Sequence, residues 1–275
     1  MPFGLKNAPA TFQRYMQVVL HDFLYKGVDV YLDDIVVYTE TEEEHVSLLR
    51  QVIDKLEAVG FRLKRSKCKF FEPSISYLGH VISSGQVRPT NDNIKAIIDF
   101  PRPTNVQGVQ SFVGKANYYR DFVENMSRII APLTRLTRKN VDFVWTDEQE
   151  RAFNDVKRIL TTEPVIAIFD PSLPTELTTD ASKLGLAGIL TQKHEDGKSH
   201  VISYWSRKTN DAESRYSAVE LECLAVLEAL EHYRVYVEGT TITIIPFESP
   251  TDLRNGHFLL MEGIDLALFE LIQIS

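Results

Sequence analysis

Two apolar runs of strand length, Val28-Asp29-Val30-Tyr31-Leu32 and Ile35-Val36-Val37-Tyr38, are separated only by Asp33 and Asp34. This spacing constrains the chain more than any other feature. β-Branched and aromatic residues favour a pleated, half-buried surface, so each run reads as a strand. Strands joined by so short a polar link form an antiparallel hairpin, with the Asp pair at its tip. Successive side chains point to opposite faces of a flat strand but can converge at a turn, where two like charges repel unless a cation lies between them. The fitting cation is Mg²⁺ (or Mn²⁺), a hard ion that takes carboxylate oxygens together with substrate phosphates. Two such ions can clamp the attacking and leaving oxygens of an in-line phosphoryl displacement. Asp is also a favoured turn residue in its own right, so these residues alone leave a plain turn and a metal-holding turn both open.

The neighbouring sequence narrows the choice. Ahead of the hairpin stands Met1-Pro2-Phe3-Gly4-Leu5-Lys6-Asn7-Ala8-Pro9-Ala10-Thr11-Phe12-Gln13. After it come, in order, Phe71-Glu72, Tyr77-Leu78-Gly79-His80, Phe100-Pro101-Arg102-Pro103, Ser111-Phe112-Val113-Gly114, Asn117-Tyr118-Tyr119-Arg120, Ala131-Pro132-Leu133, and Trp145-Thr146 with Ala152-Phe153. Thr179-Asp180-Ala181-Ser182 and Tyr216-Ser217 through Glu222-Cys223-Leu224-Ala225 complete the series. In this order the segments resemble the Pol polyproteins of gypsy-like LTR retrotransposons, over residues 1 to 245.

The resemblance implies an α+β chain. It would comprise a reverse-transcriptase palm over 1–85, a thumb and connection over 86–163, a ribonuclease H-like mixed-sheet α/β domain over 164–247 and a divergent tail over 248–275. It implies an RNA-directed DNA polymerase coupled to an RNA–DNA hybrid ribonuclease, both using Mg²⁺ (or Mn²⁺). Asp33 would be a principal metal ligand and Asp34 an auxiliary one. Phe3, Gly4, Pro9, Gln13 and Tyr31 would lie at the nucleotide and template, Tyr77, Leu78, Gly79 and His80 would grip the primer, and Asp180 and Glu222 would be the first two metal-binding carboxylates of the ribonuclease site. The implied partners are an RNA or DNA template-primer, deoxynucleoside triphosphates and the remaining Pol segments. The implied location is intracellular, in the cytoplasm, a virus-like particle or the nucleus, with no membrane.

Departures from the family pattern qualify these expectations. The third ribonuclease carboxylate should follow the strand Ile242-Thr243-Ile244-Ile245, but Pro246-Phe247-Glu248 stands there. A benzyl group cannot ligate Mg²⁺, and proline ends strand hydrogen bonding. Glu248 or Asp252 would substitute only after a local shift, and Asp265 is a positional counterpart at most. The family's first polymerase Asp and its fingers lie upstream of the motif at which this sequence starts. Both sites are therefore expected to be incomplete and the isolated chain inactive, or else a non-catalytic module that binds a nucleic-acid duplex or a protein. Glu222 by itself also reads as an ordinary helix-surface acid, and Glu220 as solvent-facing.

Charge is the one compositional feature at odds with a nucleic-acid partner, because the chain carries a net −8. The distribution is uneven: 10 Lys plus Arg against 11 Asp plus Glu in residues 1–80, 9 against 4 in 81–140, and 11 against 23 in 141–275. Basic character thus concentrates where a thumb would hold backbone, and Arg62, Lys64, Arg65, Lys67 and Lys69 add a run that reads equally as a solvated edge or as a phosphate contact. Cys68 and Cys223 stand in unlike surroundings and read as reduced thiols. Apolar spacing predicts helices over 11–23, 41–59, 91–100, 105–123, 147–160 and 212–236. Strands are expected within 61–87 and over 177–180, 186–192, 201–205 and 242–245.

Overall fold

The computed structural model describes residues 6–162, 164–246 and 259–261. Its chain divides into two compact units, Met1–Leu78 and Gly79–Ser275.

In the first unit α1 (Ala8–Val19) has proline in its first turn, where no backbone donor is needed. It precedes the hairpin of β1 (Val28–Tyr31) and β2 (Asp34–Val37). Helix α2 (Glu42–Ala58) follows, started by the Thr41 hydroxyl, which accepts the Glu44 N–H at 3.3 Å. Glu42, Glu43 and Glu44 occupy its first turn, where negative charge is favoured, and Gly60 follows its end with φ +86°. Met16, Val19, Leu20, Val28, Val30, Val52 and Leu56 form one buried cluster that ties both helices to the hairpin. Each fully buried side chain of this size contributes about 1.5–3 kcal/mol of transfer free energy. Helix α1 starts before the expected position 11 and stops at 19, leaving Phe23 to reach the same cluster from the following turn. The expected strand from 61 is absent until β3 (Ser74–Tyr77): the basic run has no alternating apolar face to bury, and Arg65–Lys67 forms a short 3-10 turn instead.

The second unit opens with the antiparallel strands β4 (His80–Ser83) and β5 (Gln86–Pro89). Helices α3 (Asn91–Ile98), α4 (Val106–Asn117), α5 (Met126–Ile129), α6 (Ala131–Arg135) and α7 (Asp147–Thr161) follow. Their core holds Val109, Phe112, Leu133, Phe153 and Leu160. Helix α4 ends before the expected 123, and a 3-10 turn over Arg120–Phe122 carries Tyr119 and Phe122 inward to the same core. Strand β6 (Ile166–Ala167) pairs with β5. Then come β7 (Thr175–Ser182), β8 (Gly185–Lys193), β9 (Ser199–Lys208), α8 (Ala218–His232), α9 (Arg234–Val237), β10 (Ile242–Pro246) and β11 (Leu259–Met261). The sheet order is β11-β10-β7-β8-β9, with β10 parallel to β7 and the other pairs antiparallel. Pro246 is the last residue of β10, at the strand end where the missing donor is tolerated. Helix α8 buries Leu221, Ala225, Ala229 and Leu230 in one cluster with Leu177 and Leu190 of the sheet. The expected single helix over 212–236 is broken because Ser217 and Glu220 form a capping box that starts α8 afresh.

Arg207 at the end of β9 ties the sheet to this helical region: its guanidinium donates to Glu213 at 2.7 and 3.1 Å and to Glu228 at 2.9 Å. The Arg207 bonds hold the Glu213 carboxyl below its ordinary value. We expect Arg207→Met to lower unfolding stability by about 2–3 kcal/mol at pH 7, measured by urea denaturation. A depressed carboxylate contributes stability above its unfolded pKa and loses it as pH falls through the folded value. The difference between variant and wild type should therefore shrink below pH 4.5, the ordinary value for Glu.

Candidate catalytic hairpin

The strands of the hairpin pair Val28 with Val37, Asp29 with Val36, Val30 with Ile35 and Tyr31 with Asp34, which leaves Leu32 and Asp33 as a two-residue turn. Leu32 has φ +52°, a left-handed conformation unfavourable for a side chain with a Cβ. At the open end, the Tyr38 N–H donates to the Gly27 carbonyl at 2.8 Å. Gly27 has φ +101°, and a Cβ there would lie 2.6 Å from Leu48 Cδ2, so this position requires glycine.

Asp33 and Asp34 are both exposed, and no hydrogen bond or ion pair among the described residues engages either carboxylate. Two neighbouring side chains hold the hairpin that carries them. From α1, Gln13 Nε2 donates to the Val30 carbonyl at 2.9 Å, and its Oε1 accepts the Leu32 N–H at 2.5 Å. From β3, the Tyr77 hydroxyl donates to Asp29 Oδ2 at 3.0 Å, while Asp29 Oδ1 accepts the Val30 N–H at 2.9 Å. Burial, the Asp29 hydrogen bond, and the charges of Asp29 and Asp34 all push the Tyr77 phenol well above its ordinary pKa, so it stays a neutral donor. Asp29 was absent from the residues expected at the site. Its signal was a carboxylate inside a β-branched run, which must find a partner once half-buried.

Of the other expected site residues, Pro9 is exposed in the first turn of α1 and Tyr31 is exposed at the end of β1. Phe3 and Gly4 lie outside the described residues, as do Phe247, Glu248, Asp252 and Asp265. Tyr77 and Leu78 close the first unit, and Gly79 and His80 open the second. The Gly79 carbonyl accepts the Tyr119 hydroxyl at 3.1 Å, and the His80 ring stacks on Tyr118 and Phe122 at centroid distances of 5.4 and 5.5 Å.

In the large sheet, Asp180 is exposed and shares its strand face with Ala187 and Ser206 through the pairing register. It lines a small cavity with Glu124, Asn125, Thr178 and Tyr204. Burial, and then the Glu124 charge, push the Tyr204 phenol up. Glu222 is exposed near the start of α8, and the Glu220 carboxylate accepts the Ser217 N–H at 2.7 Å as part of the cap. Among the described residues, no group of three or more His, Cys, Asp and Glu is assembled that could hold a metal ion.

Residues 1–82 match the model of the family described as reverse transcriptase (RNA-dependent DNA polymerase), and residues 145–244 match that of the RNase H-like domain found in reverse transcriptase. The transposon Tf2-3 and Tf2-7 polyproteins of Schizosaccharomyces pombe are each 34% identical over 255 residues, 93% of this chain. The chain belongs to the reverse transcriptases of gypsy-like retrotransposon polyproteins. It is also similar in structure to a foamy viral protease-reverse transcriptase in complex with RNA/DNA hybrid, with a TM-score of 0.74 and 26% identity over 90% of this chain and 33% of that one. A second structure of that enzyme, in complex with double-stranded DNA, gives a TM-score of 0.75 and 25% identity over 94% of this chain and 55% of that one. The α+β architecture of a reverse transcriptase with an RNase H-like domain is thus the fold of this chain. As a reverse-transcriptase segment it spans 19% of the length of the Tf2 polyproteins it matches. No helix among its described residues is long and apolar enough to cross a membrane.

Proposed function

We propose that this segment supplies the metal-holding hairpin of an RNA-directed DNA polymerase, with Asp33 as principal ligand and Asp34 as auxiliary. The observation that carries this reading is the exposure of both carboxylates, without hydrogen-bond or ion-pair partners among the described residues, at the tip of a hairpin held by Gln13 and Tyr77. Carboxylate oxygens left free in this way suit a hard cation such as Mg²⁺ (or Mn²⁺). Asp29 is turned to the protein instead: its two oxygens accept the Val30 N–H and the Tyr77 hydroxyl. When bound, the cation would neutralise charge on the phosphoryl group and the attacking oxygen. The residues of the chain contribute placement: the turn presents Asp33, the first position of β2 presents Asp34, and the neutral Tyr77 anchors the strand behind them. Asp180 and Glu222 stand as proposed ligands of the ribonuclease site.

The proposed partners are an RNA or DNA template-primer, deoxynucleoside triphosphates and the remaining Pol segments. Two surfaces support the duplex. In the first unit, Arg62, Lys64, Arg65, Lys67 and Lys69 are all exposed beside exposed Phe70 and Phe71, a basic and aromatic combination suited to phosphates and base faces. In the second, a groove between α3 and α4 is lined by Asn93, Gln110, Ser111, Gly114, Lys115 and Tyr118. Gly114 stands inside α4 with nothing within 4 Å of the position a Cβ would take. Glycine inside a helix costs about 0.5–1 kcal/mol relative to alanine. A duplex backbone approaching closely at that point would account for it. Gly114→Ala should raise the melting temperature while weakening duplex affinity about tenfold in fluorescence anisotropy. Unchanged affinity would remove α4 from the duplex surface.

The reaction itself is tested by primer extension on an RNA template with Mg²⁺ and labelled deoxynucleotides, beside a chain carrying Asp33→Asn and Asp34→Asn. Extension lost in the variant supports the polymerase reading. A folded chain that binds duplex but extends no primer even with the remaining Pol segments supplied favours the second reading, a non-catalytic duplex-binding module, which rests on the α3–α4 groove.

A further inference from the structure

The side chain of Gln13 is turned to the hairpin backbone rather than left open on the α1 surface. One amide meets two backbone groups on either side of Tyr31, donating to the Val30 carbonyl at 2.9 Å and accepting the Leu32 N–H at 2.5 Å. These groups point to the edge of β1 away from β2, because Tyr31 and Asp34 form the pair that closes the turn and the adjacent residues face outward. Without Gln13 that edge would present an unpaired carbonyl and N–H beside the buried Val30. The second bond falls on Leu32, the residue held at φ +52°, a conformation that costs about 1–2 kcal/mol and persists only where surrounding contacts impose it. Helix α1 can impose it, since Met16 and Val19 anchor the helix in the same cluster as Val28 and Val30.

We infer that Gln13 is a positioning residue that orients the Leu32-Asp33 turn so that Asp33 and Asp34 are held ready for one cation. This departs from the sequence expectation of a nucleotide or template contact. It rests on the proposed metal-holding role of the hairpin.

The test is a Mn²⁺ titration of the whole chain without nucleic acid, followed by electron paramagnetic resonance, with duplex affinity measured in parallel. The hairpin component of binding is the part removed by Asp33→Asn with Asp34→Asn. Gln13→Met keeps side-chain length but neither hydrogen bond, and should weaken that component about tenfold, the range for losing a group that orients a ligand. Gln13→Glu keeps an acceptor for the Leu32 N–H and should recover part of the loss. It also provides the comparison if the Met variant melts early. Duplex affinity should stay within about twofold of wild type, since the side chain is turned to the protein. A Gln13→Met chain that holds Mn²⁺ as the wild type does but binds duplex more weakly would overturn the inference alone, and return Gln13 to the template. A wild-type chain with no component sensitive to the two Asp substitutions would overturn the metal-holding reading and this inference together.

Discussion

With the remaining Pol segments supplied, Asp33→Asn should lower Mg²⁺-dependent primer extension by about a thousandfold, equivalent to about 4 kcal/mol of transition-state stabilisation. The substitution keeps the shape of the turn and removes only the charge. Asp33 is exposed and has no hydrogen-bond partner among the described residues, so thermal stability should move by less than about 0.5 kcal/mol. Asp34→Asn should cost less activity, as expected of an auxiliary ligand that also occupies the first position of β2. Single-turnover kinetics with the protein in excess over duplex would separate the chemical step from binding: the loss should appear in the rate and not in the protein concentration giving half-maximal rate. Extension surviving Asp33→Asn at more than about a tenth of wild type would remove this carboxylate from the reaction.

Phe112→Ala should be the most destabilising single change in the helical core of the second unit. Phe112 is fully buried, with Phe153 at 4.5 Å and Phe100 at 5.4 Å between ring centroids. Removing a buried phenyl from such a cluster costs about 3–5 kcal/mol, transfer and cavity terms together. That is a large fraction of the roughly 5–15 kcal/mol net stability of a typical domain. Urea unfolding followed by tryptophan fluorescence gives the measurement, because Trp145 packs against Phe153 at 5.8 Å and reports on the same core. The exposed Phe71 is the control: Phe71→Ala should shift the midpoint by less than about 0.5 kcal/mol. A loss below about 1 kcal/mol for Phe112→Ala would mean that α4 and α7 close over the gap rather than keep the spacing set by the Phe112 and Phe153 rings.

The hairpin was legible in the chain because its information is local. Alternation and β-branching announce two strands, and the short link between them leaves one way to connect them. The register still differed in detail: Asp34 belongs to β2, and the turn is Leu32-Asp33, because Leu32 takes the left-handed position. Helix α2 was readable to within a residue at each end, since Thr41, three glutamates and Gly60 are its own stop and start signals. Helices α4 and α8 were misjudged where those signals competed with burial. An apolar period runs through Tyr119 and Phe122, but the core draws these rings in by a 3-10 turn, and the Ser217-Glu220 box restarts a helix that periodicity alone would begin at 212.

By itself, then, the sequence determined the class of the fold, the family, and the two carboxylates at the hairpin tip, because these depend on short-range patterns and on motifs in a set order. The tertiary structure alone decided what holds that tip. Gln13 lies 17 residues before Val30 and Tyr77 lies 48 after Asp29, and no local rule couples positions so far apart. They meet because burying Met16, Val19, Val28 and Val30 in one cluster brings α1 against β1, and backbone donors and acceptors left at a half-buried edge must then find partners.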